Sequence, residues 1–406
     1  MDTVDPVGTA APLTRGRRPR DRKRQLAAVA AELFRARGYH AVGINEIAAA
    51  AGVTGPAVYR HFSDKRSILA HVLLAGIEDM EQATAQALDG DGVPTPGQVE
   101  RLLGTLARKS VERREAAALW RWEGRHLAED ARREIRRRSG AVIAAWAGVL
   151  RRVRPELSEA DAELLCWAGM SVFGSVSVHR TSVAKKRFCD LLVRLGLRVL
   201  HVRLPEPNGE PAPPGPGLAA PSRREQVLAA ATELFHRRGF HAVSMEDIGA
   251  AAGIAGPSVY RHFPSKTSLL TAICQRAAER LALGAEEALR TSAPPDEREA
   301  LRRLTRSYVR TLTDTAELSV AFSGRATAVV DERDRTELIR VQRDYVAQWV
   351  RLLSAVHPAL DAREAKITVH AALTIANDLT RTRRVRTRPR LPDELVTLMT
   401  AVLDID

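Results

Sequence analysis

The sequence predicts an all-α protein built from two tandem units. Apolar residues recur three and four positions apart along most of the chain, the helix formers Ala, Leu, Arg and Glu dominate, and alternating runs of β-branched residues are absent. Residues 22–70 also realign on residues 223–271 at a constant offset of 201, with identity at 27 of the 49 positions. A repeat of this length is a whole folding unit, so we expect two copies of one domain.

Composition bounds the size and the partners of the protein. The chain has 406 residues, enough for several compact domains. A formal net charge of +13 favours an anionic partner, either nucleic acid or an acidic membrane surface. No segment has the roughly 18 uncharged apolar residues of a membrane span, and no apolar signal region stands at the amino terminus. We therefore expect a cytoplasmic protein that does not enter a membrane.

Shifts in composition divide the chain into segments. The boundaries follow from the repeat, from seven prolines within residues 201–222, and from an aperiodic start rich in Pro, Gly and Thr. The weaker match of Trp146 to Trp349 extends the repeat past the heads. The predicted segments are a disordered tail (1–14), a first head with an Arg-rich arm (15–70), a helical body (71–200), a linker (201–222), a second head (223–271) and a second body (272–406).

Each head is expected to begin with two helices. The first helix is predicted at about residues 22–37, and Gly38 is a natural left-handed stop after its apolar face. A second helix is expected after Gly43, and after Ser244 in the copy, where Ser244 and Asp247 resemble a capping box.

The spacing that follows indicates a helix-turn-helix. Ala48 is followed four residues later by Gly52, and then by Val53 and Val58. A small residue lets two helices cross closely, Gly closes the turn, and the two valines hold the second helix to the core. The second head repeats the pattern with Gly249, Gly253, Ile254 and Val259.

The second helix of this motif would carry the DNA contacts. The front of this helix, formed in the first head by residues 54–57 and Arg60, would read the base sequence. The Tyr of this helix and the Lys that begins the next helix would bind phosphate oxygens. Because the two fronts differ slightly, the two half-sites are expected to differ too. The candidates in the first head are Thr54, Gly55, Pro56, Ala57, Tyr59, Arg60, His61 and Lys65. Those in the second head are Ala255, Gly256, Pro257, Ser258, Tyr260, Arg261, His262 and Lys266.

The stretch Tyr59-Arg60-His61-Phe62-Ser63-Asp64-Lys65 and its copy Tyr260-Arg261-His262-Phe263-Pro264-Ser265-Lys266 resemble the most recognisable segment of the TetR family of bacterial transcription regulators. The resemblance implies a three-helix head, a fourth helix that links head to body, and a body that binds a small effector of unknown identity. It also implies binding to double-stranded DNA in the bacterial nucleoid, and repression that ends when the effector shifts the linking helix. One departure is plain, because a family member normally carries one head per chain and dimerises.

An Arg-rich arm precedes the first head only. Arg15, Arg17, Arg18 and Arg20 stand before the first helix, and such an arm can enter the minor groove beside a helix-turn-helix. Residues 15–70 hold 12 basic and 4 acidic side chains, whereas residues 222–271 hold 6 and 4, so the formal charges are +8 and +2. We expect the first head to supply most of the salt-dependent affinity for DNA. The second head is expected mainly to set the register of the protein on the duplex.

Aromatic and basic residues of the bodies are candidates for an effector pocket. Aromatic side chains at helical spacing also suit ordinary core, and an Arg that follows Gly in both bodies also suits a buried ion pair, so both interpretations stay open. The candidates are Trp120, Arg125, Trp146, Trp167, Phe322, Arg325, Tyr345 and Trp349.

The last two helices of each half correspond to the dimerisation helices of the family that the chain resembles. They are expected at about 160–178 with 188–200, and at 363–379 with 392–403. We expect the halves to pair within one chain as a pseudo-dimer, which the long linker permits, and a homodimer of chains is the alternative. The arginine run at 381–390 lies between two of these helices and is interpreted as a solvated loop, with DNA or phosphate binding as the alternative.

Two other classes of function are considered. An enzyme is disfavoured, because no HExxH, GxSxG, Walker or dinucleotide-binding motif is present. We expect no catalytic residue, cofactor or metal, and we interpret Cys166, Cys189 and Cys274 as buried free thiols. The second alternative is a ligand-binding protein in which one head has lost DNA binding, although both heads keep the turn Gly, the Tyr and the Lys.

Deletion of residues 1–21 is expected to flatten the salt dependence of DNA binding. Each phosphate contact contributes about 0.9 to the slope of log affinity against log salt, and the arm is rich in arginine. The slope is measured by titrating the full chain and the deletion variant onto one DNA duplex at several salt concentrations. An unchanged slope would contradict the idea that the first head dominates the electrostatic affinity.

Overall fold

The computed structural model describes most of the chain. The described residues are 19–88, 96–114, 119, 124–206, 222–290, 296–321 and 330–406. The tail predicted to be disordered, the arm residues Arg15, Arg17 and Arg18, and residues 207–221 of the linker lie outside these ranges.

The elements within these ranges are all helices, which confirms the all-α fold. The first half contains α1 (Pro19–Arg37), α2 (Ile44–Ala50), α3 (Gly55–Tyr59), α4 (Lys65–Leu88), α5 (Pro96–Glu112), a 3₁₀ turn (Gly124–His126), α6 (Glu129–Val153), α7 (Glu159–Gly174), a 3₁₀ turn (Ser175–Ser177) and α8 (Lys185–His201). The second half contains α9 (Arg223–Arg238), a 3₁₀ turn (Phe240–Ala242), α10 (Met245–Ala251), α11 (Gly256–Val259), α12 (Lys266–Leu289), α13 (Glu297–Asp314), α14 (Glu317–Ala321), α15 (Glu332–Val356), α16 (Ala362–Leu379) and α17 (Leu391–Leu403).

The helices of the two halves match in order, and several match in length. α4 and α12 have 24 residues each, and their starts are 201 positions apart. α6 and α15 have 25 residues each, and their starts are 203 positions apart. Each residue of α4 and α6 therefore has a counterpart in α12 or α15, and the duplication extends through the bodies.

Helix α1 begins earlier than the sequence analysis expects. It starts at Pro19 and not near residue 22, because proline has no N–H to leave unsatisfied and its fixed φ suits the first helical position. Arg20 therefore lies in the first turn of a helix and not in a flexible arm. The helix ends before Gly38, whose φ of 81° confirms the predicted left-handed stop.

Each head has its own apolar core. In the first head, Leu26 and Phe34 of α1 pack with Ile47 of α2, Val58 of α3 and Leu69 of α4, and each is at most 1% exposed. The second head repeats this arrangement. The apolar face of the first helix thus packs against Ile47 and Val58 of the helix-turn-helix, as the spacing predicts.

The capping box predicted in the second head is present. Ser244 Oγ accepts from the Asp247 N–H at 3.0 Å, and Asp247 Oδ2 accepts from the Ser244 N–H at 2.9 Å. In the first head Gly43 has no hydroxyl, and only the return bond remains, from the Gly43 N–H to Glu46 Oε2 at 2.7 Å. Both heads therefore satisfy an otherwise free N–H at this helix start.

A lysine at the start of the linking helix fastens each head. Lys65 Nζ donates to the carbonyl oxygens of Tyr39 and Val42, both at 2.7 Å, and lies 4.4 Å from the centroid of the Tyr39 ring. Lys266 Nζ donates to the matching carbonyl oxygen of Val243 at 2.7 Å. Each lysine thus joins the linking helix, α4 or α12, to the loop that follows the first helix of its head.

The two bodies share one apolar core. Helices α7 and α8 of the first half pack against α16 and α17 of the second, and their buried side chains form one continuous cluster. His179 stacks on His370 at this contact, with ring centroids 4.9 Å apart. These are the helices that the sequence analysis assigns to pairing, and in the structure they join the two halves of one chain.

Ion pairs cross between the halves beside this core. Arg187 donates from Nε and Nη2 to the two carboxylate oxygens of Glu364, at 2.6 and 2.9 Å, and Glu364 is 5% exposed. Arg388 lies between Glu394 of its own half and Asp161 of the other half. Paired donors from one guanidinium fix geometry as well as charge, so these contacts orient one body against the other.

Part of the arginine run at 381–390 belongs to this contact, and the interpretation as a solvated loop fits only its exposed members, such as Arg383 and Arg386. Besides Arg388, Arg384 Nη1 lies 3.3 Å from Glu163 Oε1 of the first half. Arg390 Nη1 donates to the Pro205 carbonyl oxygen at 2.7 Å. These partners are distant in sequence, so the local charge pattern gave no sign of them.

The three cysteines are buried free thiols, which confirms their interpretation. Burial raises the pKa of Cys166 and of Cys274 to about 12, so neither is a reactive thiolate at neutral pH. Within the described ranges, no helix combines the length and the apolar character needed to cross a membrane.

Lys65→Met is expected to lower the free energy of unfolding of the first head by about 1–3 kcal/mol, because two carbonyl oxygens lose a charged donor. Amide hydrogen exchange of the α1 to α4 region in the full chain measures this change. Arg66→Met, which removes the neighbouring exposed cation, is the control. Equal protection in the two variants would show that Lys65 does not fasten the head.

Arg388→Ala is expected to destabilise the contact between the halves by about 3–5 kcal/mol, because Glu394 is 4% exposed and would lose its counter-charge. Arg384→Ala in the same run is the control, since its side chain is 65% exposed and such pairs contribute about 0–1 kcal/mol. Urea unfolding followed by tryptophan fluorescence compares them. Similar losses in both variants would refute the assigned role of Arg388.

Candidate DNA interface and effector pocket

Helices α2 and α3, and likewise α10 and α11, form a helix-turn-helix with a close crossing. A Cβ atom built on Gly249 would lie 2.9 Å from the Ile254 carbonyl oxygen, so the backbone leaves no room for a side chain there. Gly52 and Gly253 close the two turns with φ values of 66° and 68°. The predicted crossing and the predicted turn glycines are therefore confirmed.

The fronts of α3 and α11 present matching positions to solvent. Tyr59 and Tyr260 are 58% and 50% exposed, which is unusual for large aromatic residues. Thr54, Pro56 and Arg60 are also exposed, as are Ala255, Pro257 and Arg261. Gly55, Ala57 and His61 are half-buried, as are Gly256, Ser258 and His262. Each set lies within one short helix and the residues on either side of it.

Some predicted contacts lie elsewhere than expected. Arg60 and His61 follow α3 and are not on it, because the His61 N–H donates to the Val58 carbonyl oxygen at 2.9 Å and tightens the chain into a turn. Lys65 and Lys266 were expected to face phosphates, whereas their ammonium groups bind carbonyl oxygens inside the heads. Their spacing after the Tyr could not show this, since the carbonyl partners lie in an earlier loop.

The two heads contact each other through the loops after α1 and α9. The ring centroids of His40 and His241 are 5.1 Å apart, and Tyr39 stacks on His126 of the 3₁₀ turn at 4.9 Å. The sequence analysis missed this contact, although His-Ala-Val stands at the same place in both heads. The contact brings matching positions of the two heads together, because His40 and His241 are 201 positions apart.

A cavity of about 950 Å³ lies in the second body. Its walls come from α12, α13, α15 and α16, and Ser177 and Val178 of the first half complete them. Much of the lining is aliphatic, including Ala278, Ala282 and Ala285 along α12. A cavity of this size and character can hold a small organic molecule.

The polar groups of the inner wall are uncharged at neutral pH. Asn377 Nδ2 donates to the Tyr308 hydroxyl oxygen at 2.7 Å, and burial raises the pKa of Tyr308. Burial lowers the pKa of His370 to about 4, and that of its stacking partner His179 to about 3. These groups can offer hydrogen bonds to a ligand, but no counter-charge.

The charged side chains of the lining have partners within the protein. The partners are Arg290 for Glu286, Arg340 for Asp344, and the Ser319 carbonyl oxygen for Arg381. Asp378 is likewise engaged. Glu286 and Asp344 are thus paired with opposite charges where the lining is exposed, whereas the acceptor of Arg381 is an uncharged carbonyl oxygen.

The predicted effector residues are only partly brought together. Tyr345 lines the cavity, whereas Trp349 is fully buried behind it. Trp146 is buried in the first body, where its Nε1 donates to Thr84 Oγ1 at 2.8 Å, and Trp167 is half-buried on α7. For Trp146 and Trp349 the core interpretation is right, because a large aromatic side chain fills the space between packed helices. Trp120, Phe322, Arg325 and the side chain of Arg125 lie outside the described residues.

Sequence reasoning missed the polar residues of the cavity. Tyr308, His370 and Asn377 line it, and none was a candidate. A usable signal was present, since His370 and Asn377 stand in a mostly apolar stretch of α16. Polar residues within a buried helix need partners, and they often mark a site.

Comparisons with known proteins match the duplicated head. A family model described as bacterial regulatory proteins of the tetR family matches twice, at residues 26–72 and 227–273. The chain is 39% identical over 108 residues to the HTH-type transcriptional activator FasR of Mycolicibacterium smegmatis, and the match covers 25% of the chain and 48% of that protein. It is 34% identical over 94 residues to the HTH-type transcriptional regulator EthR of the same organism, covering 22% and 43%.

The chain thus spans less than half the length of these curated relatives. A solved TetR-family structure from Bordetella parapertussis aligns with 45% of the chain and 95% of its own length, at 19% identity and a TM-score of 0.41. The two separate matches of the family model fall on the two heads whose helices and turn glycines are described above. Each of the two heads therefore matches the domain of bacterial regulatory proteins of the tetR family, and the chain carries that domain twice.

Proposed function

We propose that the chain is a sequence-specific DNA-binding regulator of transcription whose two heads bind one pseudo-palindromic operator. The observation that carries the proposal is the matched exposure of Tyr59 with Arg60 and of Tyr260 with Arg261. Exposed Tyr and Arg beside a helix-turn-helix are suited to phosphate oxygens and base edges. The curated relatives, which are named as HTH-type transcriptional regulators, support the same class of function.

One chain would supply what two chains supply in a dimeric regulator. The shared core of the bodies, the ion pairs of Glu364 and Arg388, and the contact of His40 with His241 support this arrangement. Two heads on one support would bind half-sites one helical turn, or a multiple of it, apart. The small differences between the fronts of α3 and α11 favour an imperfect palindrome.

Helix α12 is the element through which an effector would act. It begins in the second head, where Leu269 and Leu270 belong to the head core, and farther along it lines the cavity with Ala282 and Ala285. A molecule bound in the cavity would therefore contact the same helix that positions the head. If that molecule binds more tightly when α12 is in a shifted position, it will favour the shift. The shift would change the distance between the heads and weaken their binding to the operator.

Repression relieved by the effector is the proposed outcome. It requires only that the heads cover a promoter and that the movement of α12 uncovers it. The relatives include both an activator and a repressor of transcription, since FasR is named an activator and KstR2 of Rhodococcus jostii a repressor. A reporter gene placed behind the selected operator decides the sign.

Arg60→Ala and Arg261→Ala form a matched pair that tests the function. After an operator is selected from random duplexes, each variant is expected to lose about 1–3 kcal/mol of binding free energy. Each should also uncover one half-site in a footprint while the other half-site stays protected. Sedimentation of the free chain at the same concentration gives the number of chains that bind.

The footprint separates the alternatives. Absence of any sequence-specific binding at moderate salt would sink the proposal. A wild-type footprint of one half-site that Arg261→Ala leaves unchanged would favour a protein in which the second head has lost DNA binding.

A further inference from the structure

We infer that the chain binds a single effector molecule, in the second body, and that this molecule is uncharged and mainly apolar. The inference rests on the proposed function, because it takes the cavity of the second body as the regulatory site. Its basis is the difference between the α12 and α15 sides of that cavity and their duplicates, α4 and α6, in the first body.

Three alanines line the cavity along one face of α12. Ala278, Ala282 and Ala285 are four and three residues apart, a spacing that places side chains on one side of a helix. The offset of 201 between α12 and α4 matches them to larger residues in the first body. The counterparts are Ile77, Glu81 and Thr84.

Glu81 places a negative charge where the second body has Ala282, and Arg138 of the first body is its ion-pair partner. Arg138 of α6 donates from Nε to Glu81 Oε1 at 2.9 Å, and a second bond joins Nη2 to Oε2. The counterpart of Arg138 is Val341 of α15, which lines the cavity. Both charges of the pair are therefore absent from the second body, where Ala282 and Val341 leave the space open.

A buried hydrogen bond is lost at the same wall. In the first body the Trp146 indole N–H donates to the Thr84 hydroxyl at 2.8 Å. The counterparts are Trp349 and Ala285, and Trp349 Nε1 is buried without a hydrogen-bond partner among the described residues. A buried N–H without an acceptor is destabilising. The second body thus keeps an unfavourable opening that the first body closes, which is typical of a functional site.

The lining selects against a charged ligand. Tyr308, His370, Thr374 and Asn377 are neutral groups that donate or accept hydrogen bonds, and the charged side chains already have protein partners. An ionised group moved from water against these neutral groups would lose hydration without gaining a counter-charge from them, and Arg381, a cation of the lining, already donates to the Ser319 carbonyl oxygen. An apolar molecule with a hydroxyl or carbonyl group satisfies both the aliphatic and the polar parts of the wall.

The number of sites is tested on the full chain with N-phenyl-1-naphthylamine, an uncharged apolar fluorophore. The wild type is expected to saturate at one molecule per chain. Ala282→Glu with Val341→Arg transfers the ion pair of the first body into the second, and it should weaken binding at least about ten-fold, which is about 1.4 kcal/mol. Leu283→Gln is the control, because Leu283 is 66% exposed and glutamine is its counterpart in the first body.

The reciprocal variant guards against a simple loss of folding. Glu81→Ala with Arg138→Val and Thr84→Ala opens the first body in the same way, and saturation is expected to rise toward two molecules per chain. This gain of a site cannot come from misfolding if helix content and sedimentation stay as in the wild type.

The ligand class is tested by displacement of the fluorophore with decan-1-ol and with decanoate, which differ only in their head group. The alcohol is expected to act at a concentration at least about ten-fold lower. No saturable binding, two sites in the wild type, unaltered binding after the ion-pair transfer, or stronger displacement by decanoate would each overturn the inference. A mobility shift with and without decan-1-ol then tests the proposed function separately, since a one-to-one site that leaves DNA binding unchanged would refute regulation but not the site.

Discussion

The contact between the two bodies is the constraint on which the rest of the structure depends. α7 and α8 pack against α16 and α17 in one core, and Arg187 and Arg388 carry charge-assisted bonds across it. This contact places Ser177 and Val178 against the cavity of the other half, and it sets where the linking helices leave the bodies. The distance between the heads therefore depends on a buried surface far from the side chains that would meet DNA.

Much of the fold could be predicted from the sequence because its information is local. The periodicity, the left-handed Gly38, the capping pair of Ser244 and Asp247, and the crossing at Gly249 involve residues close together in the chain. Each such pattern has only a few structural solutions, so its residues can be read without knowing what surrounds them.

The misses that concern side-chain roles involve partners that are remote in sequence. Lys65 was expected to bind phosphate, but its partners are carbonyl oxygens 23 and 26 residues earlier. The carboxylate that holds Arg388 across the contact belongs to Asp161, 227 residues away. Trp349 resembled a pocket residue by type, although burial behind Tyr308 and Tyr345 sets its role. A side-chain type indicates which partners are possible, and only the tertiary contacts select one.

The duplication has left unequal halves, and their covalent connection affects how DNA binding depends on protein concentration. Excess positive charge lies in the first head, whereas the described cavity lies in the second body. Because both heads belong to one covalent chain, their pairing within it does not require two molecules to meet, and dilution cannot separate them. Operator occupancy would then rise with the first power of protein concentration, so a cell could keep a gene under control with very few copies of the protein.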